Sequence, residues 1–155
     1  MSQIKVDVKF DDATLYPDGF KPTKPGDAGI DLKAVFDVTL KPGECKPVRT
    51  GVYLHMHDPN VFAMVLPRSG LGAKQGLVLG NTAGVVDSGY QGEVLCFMWN
   101  RNETETGKKI EIKRGDRFAQ LLFLPVLTQQ VELTQVKTFS FETERGASGF
   151  GSSGK

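Results

Sequence analysis

The sequence lacks the features that mark several large classes of protein. Its 155 residues include only two cysteines, Cys45 and Cys96, which lie far apart and outside any CxxC spacing. Each lies beside hydrophobic or strand-forming residues, so we expect two buried free thiols rather than a disulfide. No segment approaches the ~18 apolar residues of a membrane span, and residues 1–8 lack the apolar run of a signal peptide. These absences predict a cytoplasmic protein, bacterial or in the cytosol of a host cell, that binds no membrane.

An excess of charge of either sign is also missing. The chain has 19 Lys and Arg against 18 Asp and Glu, a formal net charge of +1. Without a basic field we expect no direct binding of nucleic acid, and any phosphate-binding site must be built locally. Hydrophobic residues make up 39% and charged residues 24% of the chain, a balance typical of a soluble globular protein. The length predicts a single domain.

Helical periodicity is nearly absent, and 18 glycines and 8 prolines divide the chain into short apolar segments. Short segments rich in Val, Ile, Leu, Phe and Thr are typical of strands joined by turns, so we predict an all-β protein. One short helix is predicted at residues 71–76. The predicted strands cover residues 35–40, 48–54, 61–66, 93–99 and 117–124.

Two of these strands, at residues 61–66 and 118–124, are apolar on both faces. A strand of a small sandwich or barrel has one face that points into the core. An apolar second face therefore predicts that this outward face also packs against protein. In a domain of this size, the expected cover is another subunit.

The C-terminal segment has a different composition. From about Thr138 the apolar pattern fades, and residues 145–155 are rich in Gly and Ser. A disordered terminus or a linker left from expression would have this composition. The segment also carries a cation, Arg145, and an aromatic ring, Phe150, which together suit an arm that closes over a nucleotide. We therefore divide the chain into a β-barrel domain at 1–137 and a mobile arm at 138–155.

Two clusters have the chemistry of a phosphate site. Asp31 follows a glycine-rich turn and enters an apolar segment, where it is either a solvated turn residue or a ligand-binding group. In the segment PRSGLG at residues 67–72, glycines allow backbone N–H groups to converge on an anion, while Arg68 and Ser69 add donors. An ordinary surface turn would have the same composition, and the GK[ST] ending of a Walker motif is absent.

Two further clusters could contact a ligand. Residues 81–94 are interpreted as a β-hairpin whose bend carries Asp87, Gly89 and Tyr90. This bend either presents a general base and a flat ring or only uses Asp-Ser-Gly for its geometry. Gln120 is polar within an apolar strand and needs a partner, either a backbone group or a ligand. His55 and His57 lie on one strand face without a third ligand, which argues against zinc, and no GxSxG or GxGxxG motif is present.

In their order along the chain, five segments resemble the five motifs of the trimeric dUTPase family. The resemblance extends from about Lys24 to the C-terminus and implies a jelly-roll-like β-barrel or sandwich that forms a homotrimer. It implies three active sites at the subunit boundaries, each closed by an arm from a neighbouring chain. The five segments are AGIDL at 28–32, PRSGL at 67–71, GVVDSGYQGE at 84–93, GDRFAQL at 115–121 and RGASGFGSSG at 145–154.

The resemblance further implies hydrolysis of dUTP to dUMP and pyrophosphate, which keeps uracil out of DNA and supplies dUMP for thymidylate synthesis. Asp87 would activate a water for attack on the α-phosphate, and Asp31 would anchor Mg²⁺ through water. Tyr90 would pack under the deoxyribose and exclude a 2′-hydroxyl. Further expected contacts are Asn81, Val85, Val86 and Leu95 at uracil, Arg68, Ser69, Gly70 and Gln120 at the phosphates, and Arg145, Gly149, Phe150 and Gly151 in the arm.

The sequence departs from the family pattern at two positions. Ile30 replaces a common aromatic in the first motif, and Ser148 replaces a common glycine in the fifth. Neither removes a group with a proposed catalytic role, although both bear on how the arm closes. Two alternatives stay open: a dCTP deaminase with a related fold, and a nucleotide-gated interaction module in which ligand orders the arm.

Overall fold

The computed structural model describes residues 3–147, and antiparallel strands form most of its regular structure. In this part of the chain, the helices are three 3₁₀ turns, Ala13–Leu15, Thr104–Thr106 and Thr128–Gln130, and one π-helical turn, Leu71–Gln75. No helix among these residues has the length and apolar character needed to cross a membrane. The strands are β1 (Val6–Phe10), β2 (Ile30–Lys33), β3 (Val38–Leu40), β4 (Cys45–Val48), β5 (Val52–Met56), β6 (Val61–Pro67), β7 (Leu77–Leu79), β8 (Gly84–Val86), β9 (Cys96–Asn100), β10 (Ile110–Ile112) and β11 (Arg117–Pro125).

The strands pair in a pattern that joins distant parts of the chain. A four-stranded sheet has the order β2-β11-β6-β8, and a three-stranded sheet has the order β4-β9-β7. Two further pairs join β1 to β5 and β3 to β10. Such crossed connections between antiparallel strands form a jelly-roll-like β fold, as the family resemblance implies.

The core follows from alternation along the strands. In β5, Val52, Leu54 and Met56 are buried, and the residues between them are half-exposed. Successive side chains of a strand point to opposite faces, so this period of two places one face of each strand inside. The largest fully buried side chains include Phe118, Leu32, Leu40, Leu77, Met98 and Leu121.

Three predicted strands have different bounds in the structure. The segment 35–40 is a strand only at Val38–Leu40, and β9 begins at Cys96 rather than at residue 93. The segment 48–54 is divided into β4 and β5 at Gly51, whose φ of +62° is left-handed. A Cβ at Gly51 would lie 2.9 Å from Val35 Cγ2, so both backbone conformation and packing require glycine here.

The predicted β-hairpin at residues 81–94 is wrong. β8 pairs with β6, through Met64 and Val85 among others, and not with the strand that follows it. After β8 the chain forms a loop at residues 87–92, and Val94 N–H then donates to Val52 O over 2.8 Å. The turn composition predicts the bend that the structure contains at residues 88–89. Sequence spacing does not reveal that β8 pairs with the distant β6 rather than with the strand that follows it.

The second face of the two doubly apolar strands is half-exposed in the single chain. In β6, Val61, Ala63 and Val65 are buried, whereas Phe62 and Met64 are partly accessible. In β11, Leu122 and Leu124 show the same partial exposure. The prediction of an inward face is confirmed for both strands.

The two cysteines are free thiols with different surroundings. Cys96 is buried as predicted, and this burial raises the pKa of its thiol to about 12. The prediction that Cys45 is buried is wrong, because Cys45 pairs with Trp99 across β4 and β9 and both side chains point outward.

An aromatic cluster joins the first strand to the loop that follows it. The rings of Phe10 and Tyr16 stack with centroids 5.0 Å apart, and Phe20 meets the Tyr16 ring edge-on at 5.4 Å. The Tyr16 hydroxyl accepts a hydrogen bond from Lys33 N–H over 2.9 Å. Burial raises the pKa of Tyr16 to about 12 from its ordinary value of 10.0.

This pKa predicts a loss of stability in alkali. Above pH 10 the unfolded chain releases the Tyr16 proton while the folded chain keeps it, so the unfolded state binds fewer protons and stability falls as pH rises. We expect the unfolding free energy of Tyr16→Phe to decline less steeply than that of the wild type between pH 10 and 12. Urea unfolding across this range measures both slopes, and equal slopes would contradict the prediction.

Candidate functional site

A hollow of about 510 Å³, here called the basic cradle, forms where β2, β6 and β11 lie side by side. β11 lies between the other two strands, so residues from three distant motifs meet. Three cations and two carboxylates line the hollow, which favours an anionic ligand. The lining residues are Thr23, Lys24, Asp27, Ala28, Gly29, Asp31, Arg68, Ser69, Gly70, Leu71, Arg117 and Gln120.

Asp31 is held by two guanidinium groups within the basic cradle. Arg68 Nε lies 2.9 Å from Asp31 Oδ1, and Arg117 Nη1 lies 3.4 Å from Asp31 Oδ2. Arg68 Nη1 also donates to the backbone oxygen of Arg117 over 3.2 Å. The Asp31 carboxylate thereby orients both arginines, and 81% of its side-chain surface is covered, since only 19% stays exposed.

Of the two predicted kinds of partner for Gln120, a backbone group or a ligand, the structure has a backbone group. Its Nε2 donates to Pro67 O over 3.0 Å, at the end of β6. Its Oε1 packs against Gly29, where a Cβ would lie only 2.5 Å away. A side chain at position 29 would therefore displace the Gln120 amide from this place.

Ser69 and Gly70 lie at the rim of the cradle, where the chain leaves β6 and enters the π-helical turn. Gly70 has φ −65° and ψ −38°, an ordinary right-handed conformation. The expected use of a special glycine backbone at this position is therefore not observed. Instead, a Cβ at Gly70 would meet nothing within 4 Å, so the missing side chain leaves the rim open to a ligand.

A second hollow of about 340 Å³, here called the loop hollow, lies beside β8 and the loop after it. Asp87 is exposed at its edge, and its carboxylate makes no hydrogen bond with any described residue. Val85 is 65% exposed and Leu95 43% exposed, so the wall offers apolar surface to a flat ring. The predicted base and the five residues predicted at the nucleoside all line this hollow: Asp87, Asn81, Val85, Val86, Tyr90 and Leu95.

Tyr90 is held in the loop by its own hydroxyl, which donates to Glu93 O over 3.0 Å. A Cβ at Gly92 would lie 2.4 Å from the Tyr90 oxygen and 2.5 Å from Cζ. The ring therefore folds back over Gly92, and any side chain at position 92 would displace it. This gives the ring a set position at the edge of the hollow.

Of the four predicted arm residues, Arg145 is the one that lies within the described part of the chain. Arg145 lies in an exposed turn closed by a hydrogen bond from Gly146 N–H to Thr143 O, and it lines neither the basic cradle nor the loop hollow. Gly149, Phe150 and Gly151 lie outside the described residues. Within residues 3–147, the two hollows have no lining residue in common.

Sequence reasoning missed three residues that shape these sites. Arg117 and Lys24 line the basic cradle, and Glu93 lines the loop hollow. The pairing of Gln120 with Asp31 follows a register shift between Arg117 and Ala119. Arg117 itself pairs with Lys33, and its guanidinium reaches Asp31. Only the fourth motif, which contains Arg117, could have drawn attention to it.

Fold and site together define a class. It is a jelly-roll-like β protein with a basic cradle and a separate hollow, edged by a carboxylate that makes no hydrogen bond within residues 3–147. The dUTPase family model matches residues 17–154. The chain belongs to the dUTPase family, whose members are hydrolases of nucleotide metabolism.

Named relatives extend over nearly the whole chain. The deoxyuridine 5′-triphosphate nucleotidohydrolase of Haemophilus influenzae is 46% identical, over 97% of this chain and 98% of its own. That of Ralstonia nicotianae is 44% identical, over 98% and 99%. Among solved structures, the dUTPase of Staphylococcus bacteriophage 80alpha with dUpNHpp is 27% identical, with a TM-score of 0.85 over 97% of this chain and 99% of that one.

Proposed function

We propose that this protein hydrolyses dUTP to dUMP and pyrophosphate. The observation that carries the proposal is the loop hollow, where Asp87 and Tyr90 lie beside the apolar wall of Val85 and Leu95. The same fold provides a cradle of suitable charge for a triphosphate. The enzyme names of relatives at 44% and 46% identity support the same reaction. In the cytoplasm it would keep uracil out of DNA and supply dUMP for thymidylate synthesis.

Asp87 acts as the general base. Its exposed carboxylate has no hydrogen bond to a described residue and is free to accept a proton from water. The water oxygen then attacks the α-phosphorus, the bond to the bridging oxygen breaks, and pyrophosphate leaves with that oxygen. The Arg68 and Arg117 guanidinium groups in the basic cradle stabilise the leaving charge.

Selection of the nucleoside takes place in the loop hollow. Backbone groups of Val85 and Val86 and the side chain of Asn81 pair with the uracil edge, and Leu95 covers its face. The Tyr90 ring, held over Gly92, packs under the deoxyribose and leaves no space for a 2′-hydroxyl. The 80alpha dUTPase with dUpNHpp supports this assignment, since it is a relative of the same fold with a deoxyuridine nucleotide analogue.

Asp31 fits a water-mediated contact to Mg²⁺ better than direct coordination. Both of its carboxylate oxygens already contact arginines, and no cluster of three His, Cys, Asp or Glu suited to a metal occurs among residues 3–147. Mg²⁺ keeps several waters and takes other ligands from substrate phosphates, so one outer carboxylate is sufficient. When bound with the triphosphate, the ion would offset its charge.

We further propose that the protein is a homotrimer whose active sites combine motifs of different chains. The outward face of β9 carries Phe97, 50% exposed, and Trp99, 40% exposed, an apolar surface that suits a subunit contact. The segment after β11 exposes further apolar side chains, including Leu133 and Phe139. Two hollows without a common residue are consistent with a site completed by a neighbour.

A nucleotide panel tests the reaction. With Mg²⁺, the purified protein should release pyrophosphate from dUTP and hardly at all from dTTP, dCTP or UTP. The hollow excludes the 5-methyl of dTTP and the 2′-hydroxyl of UTP, and the groups that pair with the uracil edge do not match that of cytosine. Pyrophosphate and ammonia are both measured. Ammonia from dCTP would show a deaminase, and the absence of product from dUTP would refute the proposal.

A further inference from the structure

Glu93, the last residue of the third motif, is the most highly connected carboxylate next to the loop hollow. Only 16% of its side-chain surface is exposed. It accepts hydrogen bonds from Arg49 Nε over 2.9 and 3.2 Å and from Gly51 N–H over 2.8 Å. These three hydrogen bonds, from two donors, hold the carboxylate in a single orientation.

Arg49 is itself held in place. Its Nη2 lies 2.7 Å from Asp11 Oδ2, and Asp11 N–H donates to Gly51 O over 2.9 Å. The Glu93 carboxylate raises the pKa of the Arg49 guanidinium, so the arginine keeps its charge beside Glu93. The pair therefore fastens Glu93 to the connection between β4 and β5.

The backbone beside Glu93 is fixed at the same place. Val94 N–H donates to Val52 O over 2.8 Å, and the Thr50 hydroxyl donates to Val94 O over 2.6 Å in a buried contact. Glu93 also forms an isolated bridge with Tyr53. The downstream end of the loop at residues 87–92 is thus anchored to the body of the fold.

The Tyr90 hydroxyl is hydrogen-bonded to this fixed backbone. It donates to Glu93 O over 3.0 Å, and its ring lies against Gly92. A shift of Glu93 moves the acceptor and therefore the ring. Through this contact, the ion pair on one side of the loop determines the position of an aromatic ring on the other.

We propose that Glu93 and Arg49 are positioning residues that hold the Tyr90 ring and thereby set the preference for 2′-deoxyribose over ribose. The inference rests on the proposed hydrolysis of dUTP and deepens it. Neither residue needs to touch the substrate. Their effect on selectivity is transmitted by the backbone oxygen of Glu93.

The test compares kcat/KM for dUTP and for UTP in Glu93→Gln and Arg49→Lys. Glutamine keeps an acceptor for Gly51 N–H but loses the charge, and lysine keeps the charge but loses the planar fork. In Glu93→Gln the dUTP:UTP ratio should fall about 10-fold, the size expected when one close contact in a pocket is loosened. The dUTP:UTP ratio of Arg49→Lys should lie between those of Glu93→Gln and the wild type.

The matched control is Glu111→Gln, which breaks an exposed ion pair with Lys113 and lines neither hollow. Its ratio should equal that of the wild type. A double variant, Glu93→Gln with Tyr90→Phe, should lower the ratio no further than Tyr90→Phe alone, because both changes remove the same restraint. Additive losses would overturn transmission through Tyr90.

An unchanged ratio in both Glu93→Gln and Arg49→Lys would overturn the inference while leaving dUTP hydrolysis intact. A wild type that releases no pyrophosphate from dUTP would instead refute the proposed function. If Glu93→Gln does not fold, Arg49→Lys decides alone, with a lowered ratio in support and an unchanged ratio against.

Discussion

Replacing Asp87 with asparagine is expected to lower kcat for dUTP by about 10²–10⁴-fold, the range for loss of a general base. Asparagine has the same shape but cannot accept the proton of the attacking water at neutral pH. The Asp87 carboxylate makes no hydrogen bond with a described residue, and only its backbone oxygen accepts from Tyr90 N–H, over 3.0 Å. We therefore expect KM and the melting temperature to change little.

Steady-state kinetics and thermal unfolding of the same preparation measure this split between kcat and KM. Glu105→Gln is the control, since it removes one exposed carboxylate that lines neither hollow. Its kcat should equal that of the wild type. An undiminished kcat in Asp87→Asn would exclude Asp87 as the base and require another group in the loop hollow.

Replacing Arg68 with alanine is expected to raise KM for dUTP by about 10–100-fold, the effect of losing a charge-assisted hydrogen bond worth roughly 1.5–3 kcal/mol. The change removes a cation from the basic cradle and also the 2.9 Å contact that orients Asp31. Arg117 then remains as the partner of Asp31, at 3.4 Å. Binding of the triphosphate should weaken more than binding of dUMP, which has a single phosphate.

Titration with dUMP and with a nonhydrolysable dUTP analogue distinguishes the two effects. Lys113→Ala is the control, because it removes an exposed cation that pairs with Asp37 and Glu111 outside the cradle. Arg68→Lys should restore only part of the affinity, since an ammonium cannot reproduce the guanidinium fork. An equal loss for dUMP and the triphosphate would argue against a phosphate role for Arg68.

The sequence predicted which residues line each hollow better than it predicted which strands pair. Local composition located Asp87 and Tyr90 on a bend, and the structure has a bend there. The pairing of β8 with β6 instead of a hairpin partner could not be predicted, because it depends on which strand edge lies nearby after folding. The exposure of Cys45 has the same origin, since an apolar strand does not reveal which of its faces points outward.

Glu93 is a residue of the site whose partner the sequence does not reveal. As the last residue of the third motif, it is one carboxylate among many, and nothing near it in sequence identifies a partner. Arg49, its ion-pair partner, is 44 residues away. Pairs separated by such distances are formed by sheet topology, which is a property of the whole fold.

By itself, the sequence determined the strand-rich class, the inward faces of the strands and the family, because alternation, turn chemistry and motif order are local properties of a chain. The tertiary structure alone decided which motifs share a hollow. It placed Asp31 between Arg68 and Arg117 and put the Gln120 amide against Gly29. It also fastened Glu93, at the end of the Tyr90 loop, to Arg49 and Gly51. Each of these contacts joins segments that only the packing of the sheets brings within hydrogen-bond distance.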